Sequence, residues 1–169
     1  SEVFWIGTYG GPERRMVTQE KIHFFAIASG KWRRYWDPQN VADPFFVLVG
    51  FFQALILLRR LRPDVVVSAG GFVAVPVIWA ARTLRISTIV HQQDIEVSLA
   101  NKLTARLATR VTVALPETKR VGGRAPEVIG NPVRRGVSEG NPVRARAKWR
   151  LPEDKPVLLV IGGGTGARA

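Results

Sequence analysis

The sequence predicts an α/β fold, a parallel sheet with helices on its faces, from three observations. Short β-rich apolar runs alternate with stretches of helix length, at least one run is apolar on both faces, and glycine turns stand where strands pass into helices.

The elements follow in chain order. Residues 3–6 and 23–26 read as the first two strands. The first lies so near residue 1 that the sheet is expected to lack its opening βα unit, and no basic segment followed by an apolar run marks a signal peptide. Residues 45–58 are apolar except for Gly50 and Gln53, and Arg59, Arg60 and Arg62 follow. Fourteen helical residues span about 21 Å, short of a hydrocarbon core of roughly 30 Å, so the helix is expected to be buried or dipped into lipid rather than to cross it. Pro63-Asp64 ends that helix and opens the strand 65–68, whose β-branched run suits burial on both faces. The Ala69-Gly70-Gly71 turn leads to a helix over 75–84, and a strand over 87–91 to a helix over 99–108 with Leu99, Leu103 and Leu107 on one stripe. Strands at 110–114 and 127–129 come next. Gly130-Asn131-Pro132 and Gly140-Asn141-Pro142 are turn signals, which divides the chain into a domain over 1–134 and the start of a second over 135–169. The second opens on a basic helical turn at 144–150 and continues as a strand over 157–161, followed by a run of glycines.

Composition narrows the function. The 25 Lys and Arg against 13 Asp and Glu leave a net charge of +12, which calls for an anionic partner such as a phosphorylated ligand, an acidic lipid or nucleic acid. The absence of cysteine excludes disulfides and cysteine-ligated metal. Nine Lys and Arg between Lys119 and Arg150 have no interleaved aromatic platform, so a solvated basic face is the better reading there than a nucleic-acid site.

Four groups of residues can carry chemistry. His91-Gln92-Gln93-Asp94 ends a strand at the sheet edge where open α/β folds bind ligands. There His91 and Asp94 are candidates for a general base or for holding a sugar hydroxyl, and the plainer reading is that they cap the next helix. Gly70-Gly71-Phe72 and Gly162-Gly163-Gly164-Thr165-Gly166 are glycine turns that admit a ligand to the backbone and suit phosphate, although neither matches a dinucleotide fingerprint or a P-loop. Arg134 follows the turn at the domain junction, where a guanidinium can reach a diphosphate. Trp32, Arg33, Arg34 and Trp36 mix cations with interfacial aromatics just before the apolar helix, which carries Phe51 and Phe52; together they suit an anionic membrane surface. A buried helix beside a solvated basic loop is the alternative.

Taken in order, residues 63–73, His91-Gln92-Gln93-Asp94, Leu99-Ala100-Asn101-Lys102, Gly130-Asn131-Pro132-Val133-Arg134 and residues 160–168 resemble the MurG-type glycosyltransferases, which form lipid II in peptidoglycan synthesis. The resemblance implies the two-domain GT-B fold, with this chain the acceptor domain and the beginning of the donor domain. It implies inverting transfer of N-acetylglucosamine from UDP-N-acetylglucosamine to the undecaprenyl-linked acceptor lipid I, at the cytoplasmic face of the cell membrane, with no cofactor, metal or nucleic acid. Gly70, Gly71, Phe72 and Asn101 would line the acceptor side, His91 and Asp94 the cleft floor, and Arg134, Gly163, Gly164, Thr165 and Gly166 the donor phosphates. Two positions depart from the pattern, Gln92 standing where the family usually has Glu and Asp94 where Asn is frequent. The chain by itself is expected to be inactive. The rivals are another GT-B glycolipid synthase, a UDP-sugar epimerase, or a non-catalytic basic module binding membrane or nucleic acid.

Overall fold

The computed structural model describes residues 2–30 and 39–160. The elements are β1 (Phe4–Gly7), α1 (Glu13–Gln19), β2 (His23–Ala26), α2 (Gln39–Leu61), β3 (Val65–Ser68), α3 (Ala74–Thr83), β4 (Ser87–Gln92), α4 (Leu99–Ala105), β5 (Arg110–Val113), β6 (Glu127–Val128), α5 (Arg135–Ser138) and α6 (Pro142–Trp149). Every strand pair is parallel, so the α/β class holds. The chain forms two compact units, 1–131 and 132–169, where the sequence reading set the division after Arg134.

The first unit holds its sheet in two pieces. β3, β4, β5 and β6 pair in sequential order, with Val65 opposite Ser87, Ile89 opposite Arg110 and Thr112 opposite Glu127, while β1 pairs with β2 alone. One edge of β1 and one edge of β3 therefore carry no strand among the described residues. Sequential parallel strands joined by right-handed crossovers place α3 and α4 on the same face, and α2 packs along α3. One core cluster, Ile78, Val90, Ala105, Ala108, Val111, Val113 and Val121, lies under α3 and α4. A second joins Ile27, Ala54, Leu58, Val77, Ala80 and Ala81, and both Ile6 of β1 and Val66 of β3 pack on it. The helical layer thus holds the two sheet pieces to one another.

α2 is longer than the apolar run that announced it. Its 23 residues span about 34 Å, and residues 43–61 are long and apolar enough to cross a membrane by length and composition, so the length argument against a crossing does not stand. Packing shows what one side of the helix does, although only 17% of an 18-residue apolar window within that stretch is buried. A side chain at Gly50 would put its Cβ 2.0 Å from the Ala28 carbonyl oxygen, Gln53 Oε1 accepts the Ala28 N–H at 2.7 Å, and Ala54 and Leu58 are buried. One side of the helix is fitted to the domain. The opposite side shows Phe45, Leu48, Phe52 and Ile56, each more than half exposed, at the i, i+3, i+7, i+11 spacing of a single stripe.

The leucine stripe of α4 faces outward. The helix, which ends at Ala105 rather than at the expected 108, buries Ala100, Asn101, Thr104 and Ala105, and leaves Leu99 and Leu103, with Leu107 just beyond its end, at 39–43% exposure. Its inner side has to be small because Gly122 approaches so closely that a Cβ there would fall 2.6 Å from the Lys102 carbonyl oxygen. It also has to be partly polar, because Asn101 serves the end of β4. Ser98, not Asp94, caps this helix, its hydroxyl accepting the Asn101 N–H at 3.2 Å.

In the second unit, Asn141 caps α6 by accepting the Arg144 N–H at 3.0 Å, Pro142 takes the first helical position, and Arg150 ends the helix in the left-handed region at φ 51°. Residues 157–160, read as a strand, are unpaired, since no other strand lies among the described residues of this unit; Leu158, Leu159 and Val160 are exposed.

Candidate functional site

The C-terminal ends of β3, β4 and β5 meet at one edge, and the polar residues of the first unit gather there. After β3 the chain turns through Gly70 at φ 110° and Gly71 at φ 84°, and the Gly70 N–H donates to Ser68 Oγ at 3.2 Å. Backbone conformation dictates these glycines, since a Cβ at Gly70 would come no nearer than 3.5 Å to another atom and one at Gly71 would meet nothing. The nearest atom to that hypothetical Cβ is Asn101 Oδ1, so the β3 turn and α4 adjoin. Phe72, next in the turn, is half-buried.

Asn101 is 2% exposed and joins three elements. Its Nδ2 donates to the His91 carbonyl at 3.2 Å and to Gln92 Oε1 at 2.7 Å. Its Oδ1 is buried with no partner. A flipped amide would give that oxygen two acceptors for neighbours and break both hydrogen bonds, so the orphan acceptor, costing about 1–3 kcal/mol, is the lesser loss.

His91 is 5% exposed and committed at both ring nitrogens, with Nδ1 2.9 Å from Thr112 Oγ1 and Nε2 3.3 Å from Asn131 Oδ1. The Asn131 oxygen can only accept, so Nε2 carries a proton, and in the neutral ring Nδ1 accepts the Thr112 hydroxyl. The ring ties β4 to β5 and to the turn after β6. Asp94 differs: its side chain is exposed while its backbone carbonyl accepts from Gln92 Nε2 at 2.8 Å and from Thr118 Oγ1 at 3.4 Å. No hydrogen bond joins His91 to Asp94.

Of the residues singled out by sequence, the edge brings together Gly70, Gly71, His91 and Asn101, with Asp94 on the loop beside them. Arg134 is exposed in the second unit. Gly163, Gly164, Thr165 and Gly166 fall outside the described residues, as do Trp32, Arg33, Arg34 and Trp36. Phe52 points outward from α2, whereas Phe51 turns toward α3 and lines an apolar depression of about 360 Å³ with Pro44, Val47, Leu48 and Trp79. Sequence reading missed Thr112 and Asn131 as the partners of His91, and Leu48, Ile56 and Trp79 on the outer face. Among the described residues no three His, Asp or Glu side chains converge on a point that could hold a metal ion.

Comparison with known proteins agrees with the α/β fold. Residues 1–113 match the family model described as the glycosyltransferase family 28 N-terminal domain. A Clostridium botulinum protein named UDP-N-acetylglucosamine--N-acetylmuramyl-(pentapeptide) pyrophosphoryl-undecaprenol N-acetylglucosamine transferase is 44% identical over 99% of this chain and 48% of its own length. The protein of the same name from Lachnospira eligens is 42% identical over 98% of this chain and 47% of its own length. The chain spans about half the length of the curated relatives it matches. The crystal structure of Acinetobacter baumannii MurG superposes with a TM-score of 0.61 at 29% identity, covering 80% of this chain and 38% of that one.

Proposed function

This chain belongs to glycosyltransferase family 28, and from that premise we propose that it is the acceptor-side part of an inverting N-acetylglucosaminyltransferase that makes lipid II. The donor is UDP-N-acetylglucosamine and the acceptor undecaprenyl-pyrophosphoryl-MurNAc-pentapeptide. The observation that carries the reading is the 44% identity to the Clostridium botulinum transferase, which runs over 99% of the chain.

The sheet edge suits such a reaction in outline. A base takes the proton of the acceptor hydroxyl, whose oxygen attacks the anomeric carbon as UDP leaves with the bonding pair. The Gly70-Gly71 turn lets the acceptor come against the backbone. His91 fixes the strand ends, and Asp94 is an exposed carboxylate on the loop beside them. On the sequence resemblance alone, Arg134, Gly163, Gly164, Thr165 and Gly166 are assigned to the departing diphosphate.

The membrane partner is an anionic surface at the cytoplasmic face. The outer stripe of α2 supports this, with four apolar side chains exposed side by side and Arg59 and Arg60 at the helix end. No acidic residue occurs between Phe45 and Arg62.

The test uses the polypeptide extended by its flanking coding sequence, sugar-labelled UDP-N-acetylglucosamine and a short-chain lipid-linked MurNAc-pentapeptide. Label is expected in a disaccharide lipid. Transfer to diacylglycerol instead, or epimerised sugar with no transfer, would overturn the reading.

A further inference from the structure

We infer that His91, through the Asn131 side chain, anchors the segment by which the chain leaves its first unit, and that it serves transfer as a positioning residue and not as a base. The inference rests on the reading of the chain as part of a two-domain transferase.

The chain passes from one unit to the other between Asn131 and Pro132. The residues around that passage differ in freedom. Gly130 stands at φ 76°, and a Cβ on it would meet no atom within 4 Å, so its neighbours do not hold it. Pro132 locks its own φ near about −65° and confines Asn131 before it to extended backbone. Gly130 is therefore the joint at which the segment can turn. On its near side the chain is fixed, since the Ile129 N–H donates to the Val113 carbonyl at 3.0 Å and continues the pairing of β6 with β5. On its far side a side chain does the holding, with Asn131 Oδ1 accepting from His91 Nε2 at 3.3 Å. The bond closes across the joint.

His91 suits the part of an anchor. It lies in β4, is 5% exposed, and is the register partner of Thr112, so both side chains stand on one face of the sheet with Nδ1 2.9 Å from Thr112 Oγ1. The ring is held from β5 while its other nitrogen reaches a residue 40 positions along the chain. A base needs a ring nitrogen whose lone pair faces the acceptor hydroxyl. Here Nε2 carries the proton given to Asn131, and the Nδ1 lone pair takes the Thr112 hydroxyl. The two bonds that occupy the ring as a base are the ones that make it a fixed post. Arg134 follows three residues after Asn131, and a segment tethered so close upstream sweeps a smaller volume, which lowers the entropy lost when the reacting groups are brought together.

The experiment compares backbone nitrogen-15 order parameters and steady-state transfer in the full-length protein. In wild type, Gly130, Asn131 and Val133 should be as rigid as the sheet, with order parameters of about 0.85, and in Asn131→Ala they should fall below about 0.6 while β4 and β5 stay rigid. Asn131 is exposed, so this variant leaves the core untouched. Asn131→Asp keeps an acceptor in the same place and should restore the order. Asn131→Ala should lose about tenfold in kcat, the effect of one hydrogen bond, with equilibrium binding of UDP-N-acetylglucosamine unchanged. The histidine variants separate anchor from base. A glutamine places its amide nitrogen where Nε2 stands and an asparagine where Nδ1 stands, so His91→Gln should keep kcat within about threefold of wild type and His91→Asn should lose as much as Asn131→Ala. His91→Asn combined with Asn131→Ala should cost no more than either alone. Wild-type order in Asn131→Ala, an Asn131→Asp segment as loose as Asn131→Ala, losses that multiply in the double variant, or a His91→Gln enzyme that loses about a hundredfold or more would each overturn the assignment. Absence of transfer in the wild type would strike the proposed reaction instead, and leave the order parameters to decide the anchor.

Discussion

Gly50 of α2 lies against the backbone of Ala28, so close that a Cβ at position 50 would fall 2.0 Å from the Ala28 carbonyl oxygen and 3.3 Å from Pro76 Cγ. One turn on, Gln53 accepts the Ala28 N–H. The exit from β2 is thereby clamped between two groups of one helix. In a free helix Gly→Ala stabilises by about 1 kcal/mol, yet here the methyl must displace a backbone atom, and overpacking of that kind costs about 1–3 kcal/mol or more. With the overpacking cost at about 3 kcal/mol for a backbone contact, Gly50→Ala is expected to destabilise the protein in urea titration by about 2 kcal/mol net. A variant as stable as wild type would show that α2 can slide on Ala28.

What the sequence made legible was what local pattern encodes. The strands at 23–26 and 65–68 stand where the β-branched and aromatic runs put them, and α3 begins one residue before the expected start. α4 was legible as a helix but not in its facing, because the apolar stripe of Leu99, Leu103 and Leu107 loses the inner side to Asn101, whose buried hydrogen bonds cannot be met by a leucine. α2 was read short because its first turns, from Gln39, carry no continuous apolar signal. At the site, the glycine turn and His91 were visible at strand ends. The partners of His91 were not, since Thr112 and Asn131 lie 21 and 40 residues away and reach it only through parallel pairing.

The outer stripe of α2 gives a prediction for membrane affinity. Burying an aromatic or branched aliphatic side chain is worth about 1.5–3 kcal/mol when complete, so Phe52→Gln with Ile56→Gln should weaken binding to anionic vesicles by at least about tenfold. Both side chains are more than half exposed, so thermal stability should change little. Added salt should weaken wild-type binding in part, by screening Arg59 and Arg60, and leave the apolar remainder. Equal binding by wild type and double variant would remove α2 from the membrane contact.

A variant at Arg134 distinguishes donor use from membrane binding. If its guanidinium meets the diphosphate, Arg134→Ala in the full-length protein removes charge-assisted hydrogen bonds worth about 1.5–3 kcal/mol, a loss of about ten- to hundredfold in kcat/KM for UDP-N-acetylglucosamine. Vesicle binding should be unaltered. Donor kinetics that match wild type would count against the role.

The open sheet bears on how the 169-residue chain behaves in isolation. Parallel strands are ordinarily paired on both edges and covered on both faces, because each bare edge is a row of free N–H and C=O groups and each bare face is apolar. β3 fails on both counts. Its edge away from β4 has no strand among the described residues, and Val65 and Val67, on the face opposite the buried side of Val66, are 45% and 64% exposed. On β1, Trp5 is 43% exposed beside another open edge. Purified alone, the chain is expected to self-associate, with light scattering showing mass above that of a monomer and increasing with concentration. Val67→Lys should suppress that association while leaving far-ultraviolet circular dichroism unchanged, because a lysine there adds charge at the edge without touching the helical side of the sheet. A monodisperse monomer that unfolds cooperatively would mean that the two sheet pieces close on one another in solution, and that the helical layer alone suffices to keep them covered.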